Sequence, residues 1–244
     1  MAQYQPAPVE SKLPADEIHI WRLPTTRAPE ELEQLASYLT DEERQRVDRF
    51  HFDVDRQRAI VSRGSLRRLT GIYLGVAPRS LEFDVGRQGK LSLASPHRGE
   101  LSLNVTHSHE LVLYAFARHC ELGLDVEHLR VLSDVQAIAR RHFTPSEIEL
   151  LRQPSTSSLA VEQNFFRLWT RKEAVIKGVG TGLSTPLDAF DVSSSAGEAG
   201  SWFQVDVPAP NSSTWLVRDL PIDDGYCAAL AVARLPAVVR FWTS

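Results

Sequence analysis

Hydrophobic and polar positions alternate with two different periods along this chain, and the switches between them predict its elements. IHIWRL (18–23) alternates apolar with polar residues, as a half-buried strand does. APEELEQLASYL (28–39) and TDEERQRVDRF (40–50) space their apolar residues helically, and Thr40 followed three residues later by Glu43 predicts a capping box. VDRQRAIVSRGSLRRLTGIYL (54–74) predicts a long basic helix, stopped by Gly75 with Pro78 just beyond. Strand-like runs follow: SLEFDV (80–85), GKLSL (89–93), LSLNVTHS (101–108), LVLYAFAR (111–118) and ELGLDVE (121–127). Helical spacing returns over 133–152, is broken by RQPSTSS, and resumes over 159–179. AFDVS (189–193), WFQVDV (202–207), TWLVRDL (214–220) and YCAALAVAR (226–234) predict a second group of strands. Residues 1–16 predict a mobile tail.

The order of elements repeats. A helix containing SRGSLRRL leads into PRSLEFDV and later into LVLYAFAR; a helix containing TRKEAVIK leads into TPLDAFDV and later into YCAALAVAR. Arg63 to Phe83 is 20 positions, and Arg171 to Phe190 is 19. This predicts an α+β protein of two similar halves related by a pseudo-twofold. Each half is a long helix packed on a mostly antiparallel sheet, with a join near residue 119. The halves are then 1–118 and 119–244, with a ligand cleft between them. Chance similarity of helix–strand–strand units is the alternative.

Composition narrows the function classes. The chain has 244 residues, 43% of them hydrophobic, enough for a sizeable core. A net charge of -4 gives no support for nucleic-acid or membrane-surface binding. The longest apolar runs, such as CAALAVA (227–233), fall far short of the roughly 20 residues of a spanning helix. The N-terminal stretch has no apolar core of a signal peptide. Cys120 and Cys227 form neither a zinc pattern nor a disulfide framework, so a reducing cytoplasm is the expected compartment.

Candidate chemistry gathers in the second half. In GLDVE, Asp125 and Glu127 are two apart on a strand and so face the same side. They read either as a solvated acidic edge or as two carboxylates bracketing a hard cation. In FFRLWTRKEAVIKGVGTGLS (165–184), Trp169, Glu173 and Lys177 are four apart and share a helical stripe. Glu173 and Lys177 read either as an exposed ion pair worth a few tenths of a kcal/mol or as a third carboxylate beside a cation. The glycine run after them allows close backbone approach; it lacks a Walker lysine and follows a helix, so it is no phosphate loop. Lys90 in the turn GRQGK, Arg58 beside Arg56, Arg63, Arg67 and Arg68, and His107 in NVTHSH are candidate anion binders. His107 and His109 have no spaced partners for zinc, and Ser108 has no nucleophile elbow around it.

NVTHS, GLDVE and WTRKEAVIKGVGTGLS, in this order, resemble the motifs of the 4'-phosphopantetheinyl transferases, in the larger two-half class similar to the surfactin-synthetase activator. The resemblance covers about residues 18–235. It implies transfer of 4'-phosphopantetheine from coenzyme A to a serine of an apo acyl or peptidyl carrier protein, with release of adenosine 3',5'-bisphosphate. It also implies Mg2+, with Mn2+ as an alternative, held by Asp125, Glu127 and Glu173. Some relatives coordinate the metal with fewer side chains, which leaves open whether Glu127 is a direct ligand. Lys177 then lies near the pyrophosphate, and Glu173 is the favoured base, directly or through water. His107 and Thr106 match positions beside a coenzyme phosphate, Lys90 a lysine of the nucleotide turn, and Arg58 an arginine that contacts the coenzyme. The turn departs from the family in having Leu91 where proline often follows the lysine.

Carrier proteins are typically acidic, and IARRHFTPSEIELL (138–151) offers Arg140 and Arg141 as a local docking edge; a solvated amphipathic helix is the competing explanation. Two fused halves predict a self-sufficient monomer. A non-catalytic coenzyme A-binding or regulatory protein on the same scaffold would be expected to have lost Asp125, Glu173 or Lys177, and all three are present. A Mg2+-dependent nuclease would need a basic surface that the net charge does not support.

Overall fold

The computed structural model describes residues 4–6, 12–152, 159–194, 200–208 and 212–243. Strands β1 (Gln5–Pro6) and β2 (Glu17–Pro24) precede helices α1 (Pro29–Ser37), α2 (Asp41–Asp48) and α3 (Asp53–Leu74). Then come β3 (Phe83–Val85), β4 (Leu91–Leu93), β5 (Ser102–Ser108), β6 (Leu111–Ala117) and β7 (Leu122–His128). Helices α4 (Val135–His142), α5 (Pro145–Arg152) and α6 (Leu159–Val179) follow. The chain ends with β8 (Phe203–Val207), β9 (Ser213–Asp219), β10 (Tyr226–Val232) and β11 (Val238–Thr243).

The strands form a five-stranded sheet, β1-β11-β2-β6-β5, a four-stranded sheet, β7-β10-β9-β8, and the small pair β3-β4. Strand β6 is buried at every position because its two faces serve two cores. Val112, Tyr114 and Phe116 face α3 and pack with Leu66, Leu69 and Tyr73, while Leu113, Ala115 and Ala117 face the other sheet. Strand β10 splits the same way: Ala228, Leu230 and Val232 join the inter-sheet core, and Ala229 and Ala231 face α6. The layers therefore run α3, sheet, sheet, α6, and each long helix covers the outer face of its own sheet.

A shared device marks the pseudo-twofold. In the first half the capping box is present, with Thr40 capping α2 and Glu43 returning to the Thr40 N–H. Glu43 is buried and also accepts from Arg63 and Arg67 of α3; Arg67 donates further to the carbonyls of Pro78 (3.0 Å) and Leu81 (2.9 Å). In the second half Glu147 accepts from the Thr144 N–H at 2.8 Å and pairs with Lys172 of α6 at 2.9 Å. Lys172 donates to the carbonyls of Leu187 and Phe190, each at 2.7 Å. In both halves a cation on the long helix ties a capping glutamate to the turn that follows that helix.

Four sequence expectations differ from the structure. AFDVS (189–193) is no strand: a 3-10 turn spans Leu187–Ala189, and side chains take the backbone groups a ladder would have used. Lys172 takes the Phe190 carbonyl, Arg171 the Val192 carbonyl, and Glu147 the Val192 N–H. SLEFDV forms a strand only over Phe83–Val85, since Pro78–Ser80 is a 3-10 turn. The helical zone 133–152 is two helices, because Thr144 and Glu147 start a new one. The described part of the expected N-terminal tail is not free: Leu13 is buried, and Gln5–Pro6 pairs with β11, a strand the hydropathy pattern had not predicted. The β11 ladder continues onto β2 in parallel, so the last strand of the chain belongs to the first sheet.

Candidate active site

The site lies where the two sheets meet. Strands β5 and β7 are edge strands of different sheets, and an unpaired edge must be covered or paired. Here polar side chains of β5 bridge the seam, two residues apart along the strand. Asn104 Oδ1 accepts from the Leu124 N–H (3.2 Å), the Thr106 hydroxyl donates to Asp125 Oδ1 (3.1 Å), and the Ser108 hydroxyl donates to Glu127 Oε2 (3.0 Å). Ser108 Oγ also accepts from the His128 N–H at 3.0 Å. Ser108, unsupported as a nucleophile, thus holds a carboxylate. The N-x-T-x-S alternation in NVTHS was the signal for this face.

Helix α6 crosses β7 at very close range. A Cβ on Gly123 would lie 2.0 Å from the Ala174 carbonyl oxygen and 2.2 Å from the Gly178 nitrogen, and one on Gly178 would meet the Trp215 ring at 2.5 Å. The crossing places Lys177 Nζ 2.6 Å from Asp125 Oδ1 and 3.2 Å from Thr106 Oγ1. Glycine was legible in both motifs, but its role as the contact between them was not.

Asp125 is buried, and its Oδ2 has no hydrogen-bond partner. Burial pushes its carboxyl up to about 6 despite Lys177, and the Glu173 and Glu127 carboxylates push in the same direction. Glu173 is half-buried, and burial raises it too; Lys177 and His142 oppose this, and Glu127 adds to it. Three carboxylates therefore share one electrostatic neighbourhood, in which a cation would relieve their repulsion. Glu127 Oε2 accepts from Arg130 (3.1 Å) as well as Ser108. Among the described residues no three His, Cys, Asp or Glu side chains stand close enough to cage an ion unaided.

His107 keeps an open face to solvent, but crowding by its neighbours lowers it below its ordinary value, helped by Lys177 and Arg58 and opposed by Glu127. Its ring can offer a hydrogen bond from that open face. Arg58 is held only loosely by Asp55 at 3.5 Å, and its buried Nε has no partner. Lys90 spans the halves, donating to the Gly178 carbonyl at 2.6 Å and pairing with Glu121. The glycine run allows a close approach, and what it meets is the Lys90 turn: a Cβ on Gly182, at φ +55, would lie 2.8 Å from Gln88. Gln88, Lys90, Leu103, Asn104, Glu173 and Lys177 line one cleft. Arg140 and Arg141 lie apart from it, exposed on α4. Cys120 and Cys227 are free thiols, and burial pushes Cys227 up to about 12, which leaves it inert. Among the described residues no helix is long and apolar enough to cross a membrane.

Two family models match this chain. That of the 4'-phosphopantetheinyl transferase superfamily matches residues 121–231, and that of the 4'-phosphopantetheinyl transferase N-terminal region matches residues 21–119. The 4'-phosphopantetheinyl transferase HetI of Nostoc sp. strain PCC 7120 is 36% identical over 97% of this chain and 96% of its own length. A phosphopantetheinyl transferase of Thraustochytrium sp. is 27% identical over 82% of this chain and 72% of its own. The 4'-phosphopantetheinyl transferase Sfp of Bacillus subtilis strain 168 is 28% identical over 84% of this chain and 86% of its own.

Proposed function

The chain belongs to the 4'-phosphopantetheinyl transferase superfamily, and we propose that it moves 4'-phosphopantetheine from coenzyme A to a serine hydroxyl of an apo carrier protein, with Mg2+, releasing adenosine 3',5'-bisphosphate. The observation that carries the reading is the buried, unpartnered Asp125 Oδ2 beside Lys177 and in the field of Glu173. An unpartnered carboxylate oxygen with two further acids in its field fits a hard cation. Mg2+ usually takes one or two carboxylates and completes its shell with water and phosphate, so the lack of an all-protein cage agrees with it. Asp125 through its free Oδ2 and Glu173 would hold it, with Glu127, toward the more exposed end of β7 and engaged by Ser108 and Arg130, at the edge of the site. When bound, the metal supplies charge neutralisation at the pyrophosphate.

The remaining roles fall to the protein's own residues. Lys177, oriented by Thr106, stabilises charge that develops on the leaving phosphate. His107 as a ring donor and Arg58 through its partly exposed guanidinium, held only loosely by Asp55, bind the coenzyme's phosphates, and Lys90 shapes the turn beside them. The serine oxygen forms a bond to the pantetheine-bearing phosphorus as that phosphorus parts from the bridging oxygen. The serine proton goes to Glu173, directly or through water. Arg140 and Arg141, exposed on α4, dock the acidic carrier. The test is direct: incubate the protein with coenzyme A, Mg2+ and an apo carrier, and weigh the carrier. A gain of the phosphopantetheine mass is expected, and no gain across fatty-acid, polyketide and peptide carriers would end the reading.

A further inference from the structure

The ammonium of Lys172 is wholly buried one residue before Glu173, and the chemistry proposed above does not use it. It lies beneath the joint between α4 and α5. Its partner Glu147 sits in the first turn of α5 and is likewise fully buried. Its Nζ lies 5.8 Å from the ring centre of Phe143, the residue that ends α4, and 4.6 Å from that of Phe190. Phe143 packs on Phe165 at 5.2 Å, Phe165 stacks on Trp169 at 5.7 Å, and the His142 ring meets Trp169 edge-on at 5.7 Å. Trp169 is one helical turn before Glu173. The segment that carries Arg140 and Arg141 is thus fastened to the catalytic helix through one buried ion pair and one aromatic stack.

We propose that Lys172 and Glu147 are positioning residues that set the α4–α5 arm against α6, so that a carrier docked on the arm presents its serine to Glu173. The inference rests on the docking role given above to Arg140 and Arg141. The pair touches neither coenzyme nor carrier. Among the described residues the side chains of Lys172 and Glu147 make no hydrogen bond or ion pair to the Lys90 turn, β5 or β7, so the KM for coenzyme A is expected to change less than that for carrier.

The first half contains its own control. Glu43 occupies the same place in the same device, with Arg67 in place of Lys172, but no docking arm is attached to it. Glu147→Gln and Glu43→Gln are therefore the same chemical change in two equivalent settings. Both lower the melting temperature, because each leaves a buried cation without its counter-charge. Only Glu147→Gln is expected to raise the KM for carrier, by roughly tenfold, equivalent to about 1.4 kcal/mol of docking, with the KM for coenzyme A little changed. Lys172→Met repeats that split, and Lys172→Arg, which keeps the charge and donors, recovers most of it.

Equal effects of Glu147→Gln and Glu43→Gln on the two KM values would overturn the proposal, as would an unchanged carrier KM in Glu147→Gln. If Lys172→Met fails to fold, the Glu147→Gln and Glu43→Gln pair still decides. The double reversal Arg140→Glu, Arg141→Glu, measured alongside, separates the two claims. A raised carrier KM there but not in Glu147→Gln leaves docking intact and removes the positioning role. The opposite pattern keeps the positioned arm and moves the contact to other residues on it.

Discussion

Replacing Gly123 by alanine tests the close crossing of α6 on β7, on which the site depends. The backbone of Gly123 is an ordinary strand conformation, so the substitution costs nothing in φ; space alone is at issue. The new methyl would sit 2.0 Å from the Ala174 carbonyl oxygen and 2.2 Å from the Gly178 nitrogen. Both are backbone atoms in the last turns of α6, and helix backbone cannot step aside one atom at a time. Relief to an ordinary contact of about 3.5 Å requires α6 to withdraw by more than about 1 Å. Overpacking of this kind costs about 1–3 kcal/mol, or roughly 2–10 °C in melting temperature for a chain this long. The larger effect is on chemistry. Withdrawal opens the 2.6 Å contact between Lys177 and Asp125 and carries Glu173 with it. A displacement near 1 Å predicts about a hundredfold loss of kcat. The assay is phosphopantetheine loading of an apo carrier followed by mass, with thermal melting in parallel. A Gly123→Ala protein with wild-type kcat and an unchanged melting temperature would refute the account of the crossing.

Three further outcomes are expected. Asp125→Ala and Glu173→Ala each lower turnover by roughly 10²–10³-fold, and each weakens Mg2+ binding measured by calorimetry; wild-type behaviour in either removes that residue from the metal site. Reversing Arg140 and Arg141 to glutamate raises the KM for carrier and spares that for coenzyme A, whereas unchanged carrier kinetics rejects docking on α4. For Glu43, burial raises the carboxyl, but donation from Arg67, the Thr40 N–H and Arg63 outweighs it and lowers it from 4.5 to about 2. A depressed folded-state pKa contributes stability that is fully present above pH 4.5 and is lost as pH falls toward 2. The shift corresponds to about 3 kcal/mol, so Glu43→Gln flattens the melting temperature against pH in that window. Parallel wild-type and variant curves there would show that the charge of Glu43 contributes nothing.

Local rules carried the reading of this chain a long way, and where they stopped is instructive. The Thr40–Glu43 capping box, the α3 helix with its left-handed Gly75 cap, and the strands β5, β6 and β7 were legible because each depends on neighbours in sequence. The motifs NVTHS, GLDVE and WTRKEAVIK hold residues that the fold brings together: Thr106, Asp125 and Lys177 are linked by hydrogen bonds, with Glu173 one turn before Lys177 on α6. AFDVS misled because its alternating pattern matched a strand, while the backbone partners it received were the side chains of Glu147, Arg171 and Lys172, distant in sequence. Strand β11 escaped because its place in the first sheet is decided by pairing with β2, more than 200 residues earlier.

What the sequence by itself determined was therefore the inventory: two similar helix-and-sheet halves, three acids, a lysine and a set of cations in a family's order. Only the tertiary structure decided how deeply each acid is buried and which groups engage it. Asp125 and Glu127 are equivalent on the page, two residues apart on one face. Folding buries Asp125 with one oxygen unpartnered and hands Glu127 to Ser108 and Arg130. The difference arises because α6 crosses β7 at Gly123, where Lys177 reaches Asp125, whereas Glu127 lies toward the more exposed end of the strand. Burial and hydrogen-bond partners belong to three-dimensional neighbours, and no local pattern encodes them.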